Sequence, residues 1–166
     1  MAHSKDPVPP AWRQGVLSYT TGLTYDTAKK MIEAAMAEAK KQGLTMVIAV
    51  ADAGGNLVAF GRMDDAMLAS IDIAKDKAFT AAYGKIPTQV WRDIVQSGNL
   101  PPLFIHERWT AFPGGFPLIK GKQLLGGIGC SGATAYGDTS VARAGLHAGG
   151  FNTEDADAIL RQLSEG

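Results

Sequence analysis

Three glycines stand inside an apolar run, "QLLGGIGCSG" (123–132), and they constrain this chain more than any other feature. The run follows "GFPLIK" (115–120) through the tight-turn pair Gly121-Lys122, so the two runs predict an antiparallel hairpin. Glycine within a strand costs stability unless something must come close to the backbone. That something is either a helix packed tightly on the strand or a ligand, and both readings stay open at this point. A phosphate cradle is excluded, because no Gly-Lys-Ser/Thr follows at the required spacing. "GGIGCSG" is a weak match to a dinucleotide fingerprint, since it lies in the second arm of a hairpin.

The other elements follow from periodicity and turn chemistry. In "LTYDTAKKMIEAAMAEAKKQG" (23–43), Ala28, Met31, Ile32, Ala35, Met36 and Ala39 form one apolar stripe at helical spacing. Thr24 or Asp26 caps its start, and Gly43 stops it. "TMVIAVADAGGNLVAFGRMD" (45–64) reads as two strands around the turn Ala53-Gly54-Gly55-Asn56. Helices are predicted in 65–84, in 88–98 after Pro87, in 137–150 with Asp138 or Thr139 as cap, and in 152–163. A further strand is predicted around Glu107–Phe112, making a central antiparallel sheet of about five strands. This order is α+β, with helices packed on the sheet, and lacks the alternation of a Rossmann domain. Residues 1–22, rich in proline at 7, 9 and 10, read as an extended arm; residues 23–166 read as a single domain.

Charge and cysteine content narrow the partners. Sixteen basic residues balance sixteen acidic ones, which argues against nucleic acid as the main ligand, since phosphate binding needs a net basic face. One cysteine, Cys130, excludes an intrachain disulfide framework and a cysteine-rich metal site. No run is long enough to span a membrane and the N-terminus lacks the apolar core of a signal peptide, so the expectation is a cytoplasmic protein without a membrane partner.

Several residues are candidates for chemistry, each with a plainer reading beside it. In "GRMDDA", Arg62 and Asp64 leave a strand together: either a helix cap (Asp64 or Asp65) with a surface arginine, or a guanidinium at a pocket rim for a carboxylate. That arginine is expected at the sheet end where "PGGFP" also arrives. Lys77 lies near the apolar side of its helix, either solvated or paired with a buried acid such as Asp52, or holding an anionic ligand. The three histidines show no metal-ligand spacing, so no metal site is expected; of the three, His106, beside Glu107, is a candidate for proton transfer. Cys130 and Ser131 lack a nucleophile elbow, and Cys130 reads as a core thiol.

Taken in order, "LTYDTAKKMIEAAMAEAKKQG", "VADAGGNLVAFGRMDDA", "SIDIAKDKAFTAA", "GGFPLIKGKQLLGGIGCSG" and "GDTSVARAG" resemble the GlcG/HbpS-like haem-binding proteins, a family also found as the C-terminal domain of PduO-type proteins. The resemblance runs from about Leu23 to Ala148. It implies a profilin-like fold, a homo-oligomer, and haem as ligand or cofactor. It also implies a pocket formed by Arg62 to Asp64 and Gly114 to Pro117, with Lys77 and Thr80 matching a Lys-Ala-x-Thr segment. Ser131, Gly132 and Asp138 match the strand exit and the following helix.

Two functions compete. The first is a cytoplasmic, oligomeric small-molecule-binding protein whose anionic ligand, haem or a related tetrapyrrole, is bound through Arg62, Asp64, Lys77, Thr80, Gly114, Gly115 and Ser131. The second is a cofactor-independent enzyme acting on a small hydroxy or aromatic acid. There Arg62 holds the carboxylate, Lys77 or His106 moves the proton, and amides near Gly114 and Gly115 stabilise an enolate or oxyanion. A purely structural oligomer is the plainest reading.

Overall fold

A computed structural model describes residues 22–98 and 106–155, together with positions 18, 20, 157 and 158. Most of the expected N-terminal arm, and most of the helix expected over 152–163, lie outside the described residues. The elements run α1 (Tyr25–Lys41), β1 (Val47–Asp52), β2 (Leu57–Arg62), α2 (Ser70–Gly84), α3 (Thr88–Gln96), β3 (Gly115–Lys120), β4 (Gln123–Ser131) and α4 (Ala135–Ala148). The strands form one antiparallel sheet in the order β2-β1-β4-β3. The α+β class read from the sequence is the one found.

Both hairpins form where the turn chemistry places them. In the first, the Asp52 carboxylate accepts hydrogen bonds from the Gly54 and Asn56 amides, each at 2.9 Å, and Gly55 takes a φ of +75° that favours glycine. In the second, Lys120 faces Gln123 across Gly121-Lys122. The N-cap of α1 is Thr24, whose hydroxyl accepts from the Thr27 amide at 3.1 Å. Thr24→Ala should therefore cost about 1 kcal/mol in a urea melt, the usual worth of a lost cap; an unchanged midpoint would show that the helix end is held by packing alone.

The two faces of the sheet are built from different sizes of side chain. Because side chains alternate along a strand, Ile48 and Val50 of β1 and Ile128 and Cys130 of β4 join the large core with Met31, Ala35, Val141 and Leu146 of α1 and α4. On the other face, Val47, Ala49 and Ala51 meet Ala74 and Ala78 of α2. A side chain at Gly127 would run into the Ala78 carbonyl, and one at Gly129 into the Ala74 carbonyl and the Ala78 amide. Of the two readings of the glycine-thinned strand, close packing against a helix is the one realised at these positions.

The sheet has four strands among the described residues, not about five. Segment 107–112 is turn and irregular chain. Two of its backbone groups go to α2 in place of a ladder: the Thr80 hydroxyl accepts from the Thr110 amide at 3.0 Å and donates to the Arg108 carbonyl at 3.3 Å. Arg108 completes the attachment with an ion pair to Asp76 at 3.2 Å and its guanidinium 4.3 Å from the Phe79 ring centre. Helix starts also differ from expectation. Thr134 caps α4, accepting from the Gly137 amide, so neither Asp138 nor Thr139 does. No side chain caps α2, so Asp64 and Asp65 do not.

Candidate functional site

The helices on opposite faces of the sheet meet at one of its ends through a buried contact. Lys77 of α2 passes beside Gly129, and its ammonium lies 2.6 Å from Asp138 Oδ2 on α4 and 2.8 Å from the Cys130 carbonyl of β4. Both side chains are almost wholly buried. The second oxygen of Asp138 accepts from the Ala133 amide at 2.8 Å. Gly114, at φ +113°, closes over the pair: a side chain there would meet Asp138 Cβ and the Cys130 carbonyl at 2.8 Å. Burial pushes the Lys77 pKa down, opposed by the attraction of Asp138, and pushes the Asp138 pKa up, opposed by Lys77. Burial also raises the Cys130 thiol, so it is protonated and inert.

This pair forms the floor of a cleft of about 200 Å³. Ser131 also lines it, with its hydroxyl donating to Ser70 at 3.2 Å. The walls are apolar: Met67, Ile73, Phe112, Pro113, Ala133 and Ala135. Met67 and Phe112 stand well exposed at the rim. A low-dielectric wall over a perturbed acid–base pair is the usual setting of a ligand or catalytic site.

Of the residues singled out in the sequence, Lys77 and Ser131 line this cleft and Gly114 packs on its floor. Gly132 and Asp138, which the family resemblance also pointed to, line it too, while the remaining candidates lie elsewhere. Gly115 donates its amide to the Thr88 hydroxyl at 2.9 Å, fastening β3 to α3. Thr80 is buried and occupied with the 108–110 chain. Arg62 and Asp64 are exposed and outside the cleft lining. Arg62 pairs with Val47, which pairs with Ser131, so it reaches the expected sheet end two strand spacings, about 10 Å, from the cleft floor. "PGGFP" arrives at the same end but on the opposite edge strand. His106 stacks on Phe79 with ring centres 5.0 Å apart, and its Nδ1 accepts from the Arg108 amide, again outside the cleft lining. Asp52, the acid offered as a partner for Lys77, is spent on its own turn.

Asp138 is the residue that sequence reasoning undervalued: it reads there as a possible cap, matched to the family's helix after the strand exit, and is not paired with Lys77. A signal was present. Asp138 falls on the buried stripe of α4 with Val141, Ala142 and Gly145, at i+3, i+4 and i+7. A carboxylate on such a stripe needs a buried donor, and the chain offers one in Lys77. Met67, Phe112 and Pro113 carried no comparable signal.

Residues 23–147 match the model of the family described as "Haem degrading protein HbpS-like". Protein GlcG of Escherichia coli (strain K12) is 36% identical over 113 residues, spanning 66% of this chain and 81% of GlcG. Among solved structures, the PduOC:heme complex is 30% identical with a TM-score of 0.72, over 77% of this chain and 95% of that one. A double mutant of HbpS from Streptomyces reticuli is 34% identical with a TM-score of 0.70, over 84% and 95% respectively.

Proposed function

The chain belongs to the HbpS-like family, and from that membership we propose that it is a small-molecule-binding protein of the cytoplasm, a homo-oligomer whose ligand is haem. The observation that carries this reading is the match to the haem complex of PduOC along nearly its whole length. The single buried cysteine fits a reducing compartment. An edge strand, β2, bearing exposed Leu57 and Phe60 fits a surface that a second copy covers.

Haem asks for an apolar slot, a donor to iron and cations for its propionates. The cleft does not meet these demands: its volume lies below the roughly 300–1,000 Å³ of common ligand pockets, and no imidazole of the described residues lines it. The outer face of α4 offers the donor and the cation. There a groove of about 390 Å³ is lined by Tyr136, Thr139, Ser140, Arg143, Ala144 and His147. Imidazole and phenolate are both ordinary ligands of haem iron, and the iron supplies oxygen and redox chemistry when bound. On this reading His147 holds the iron, and Arg143, one turn or about 6 Å earlier, pairs with a propionate.

Titration with hemin, followed by absorbance, tests this. Wild-type protein should give a shifted Soret band that saturates. His147→Ala should move that band and weaken binding by about tenfold or more, roughly 1.4 kcal/mol. An unchanged band in the variant would remove α4 as the site, and no band shift in the wild type would remove haem.

The Lys77–Asp138 pair favours a second reading, a cofactor-independent enzyme whose small substrate enters the cleft. The pair is neutral as a whole, so the cleft floor suits an uncharged carbonyl oxygen better than a carboxylate. Arg62, the residue suited to hold an acid, stands outside the cleft.

A further inference from the structure

We propose that Lys77 forms a Schiff base with a small, uncharged ketone or aldehyde in the cleft, with Asp138 carrying the protons. The proposal rests on the second reading above and is independent of haem. A buried ion pair can be a mere strut between layers, and such pairs are weak evidence of anything more. A strut, however, does not need an open apolar cleft lined by both its lysine and its aspartate.

Four features of the floor suit amine chemistry. An ammonium has three N–H donors, and among the described residues two of Lys77's are committed, to Asp138 and to the Cys130 carbonyl. The third remains for the cleft that Lys77 lines. The contact to Asp138 is short, 2.6 Å, so a proton crosses it without any heavy atom moving far. Burial disfavours both charges, bringing the neutral amine and carboxylic acid within reach. Ser131 lines the same floor and retains a lone pair for a hydroxyl at the reacting carbon. A lysine desolvated in an apolar pocket is the usual form of an amine nucleophile.

The step balances within the pair and its substrate. The Lys77 ammonium gives a proton to Asp138 Oδ2, and the freed Nζ lone pair attacks the carbonyl carbon. The C=O π pair moves onto oxygen, which takes the proton from Asp138 and becomes the hydroxyl of a carbinolamine. Asp138 then takes a proton from nitrogen and passes it to that hydroxyl, which leaves as water while the nitrogen lone pair closes the C=N bond. The product is a protonated imine beside an ionised Asp138, so the floor stays neutral. One water is released for each substrate bound.

The test is reductive trapping on the full chain. The protein is incubated separately with acetone, cyclohexanone and benzaldehyde in the presence of sodium cyanoborohydride, then digested and read by peptide mass spectrometry. With at least one probe, alkylation of Lys77 should exceed that of exposed Lys41 or Lys122 by about tenfold or more. Asp138→Asn, with its fold verified by circular dichroism, should lose that preference. Alkylation of Lys77 no greater than that of the exposed lysines, with all three probes, overturns the proposal. Undiminished labelling in Asp138→Asn overturns the role of Asp138. A rise in melting temperature with these probes and no trapped adduct overturns the covalent step and leaves the cleft as a binding site.

Discussion

Asp138→Ala is expected to lower stability by about 3–5 kcal/mol, because it leaves the Lys77 ammonium buried with only a carbonyl for company. In a chain of this length that is a fall of the order of 10 °C in melting temperature. Lys77→Met should behave similarly, stranding a carboxylate left with backbone amides alone, those of Ala133 and Gly132. Asp138→Asn should cost less, since its carboxamide oxygen still accepts from Lys77. The informative variant is the double replacement Lys77→Met with Asp138→Leu. Removing both charges together avoids the unpaired one, and fills the space with apolar atoms next to Ile73 and Ala133. It should recover most of the lost stability while abolishing reductive trapping. Equilibrium urea melts measure all four. Single variants within about 1 kcal/mol of wild type, or a double variant no better than the worse single, would mean that the pair is solvated and not the buried contact described.

The second large effect is expected at Gly129. A methyl group there meets the backbone of α2 at Ala74 and Ala78, and Lys77 Cβ at 2.8 Å. No rotamer change relieves a clash with helix backbone, so α2 has to lift from the sheet. Because this interface is made of alanine and glycine, its contacts depend on close approach and weaken all along the helix. Gly129→Ala should therefore cost about 3 kcal/mol, the upper part of the range for overpacked cores. It should also shift Lys77 away from Asp138 and lower its trapping in parallel. A variant as stable as the wild type would show that α2 rides higher on the sheet than described.

The comparison of sequence with structure divides along the range of the interactions involved. Helix α1 was legible because its stripe, cap and stop lie within about twenty residues of one another. The two hairpins were legible because Gly54-Gly55 and Gly121-Lys122 fold back on immediate neighbours. Their glycines signalled that something approaches β4 closely, but the approaching helix is built from residues about fifty positions earlier. Segment 107–112 has apolar and β-prone residues and reads as a strand; Thr80 of α2 takes its hydrogen-bonding groups first. Arg62 emerges at the foreseen end of the sheet, and only the order β2-β1-β4-β3 places it two strands from the cleft.

By itself, the sequence determined the α+β class, the hairpins, the first helix and the family to which the chain belongs, since these depend on local periodicity, turn residues and motif order. The tertiary structure decided which candidate residues share a site. Lys77 and Asp138 are 61 positions apart, on helices covering opposite faces of the sheet. Nothing in either segment names the other. Whether Lys77 is a solvated surface charge or the buried floor of a cleft depends on two layers closing over one sheet end. That closure is set by the sizes of side chains on each face: alanine and glycine beneath α2, large aliphatics beneath α1 and α4.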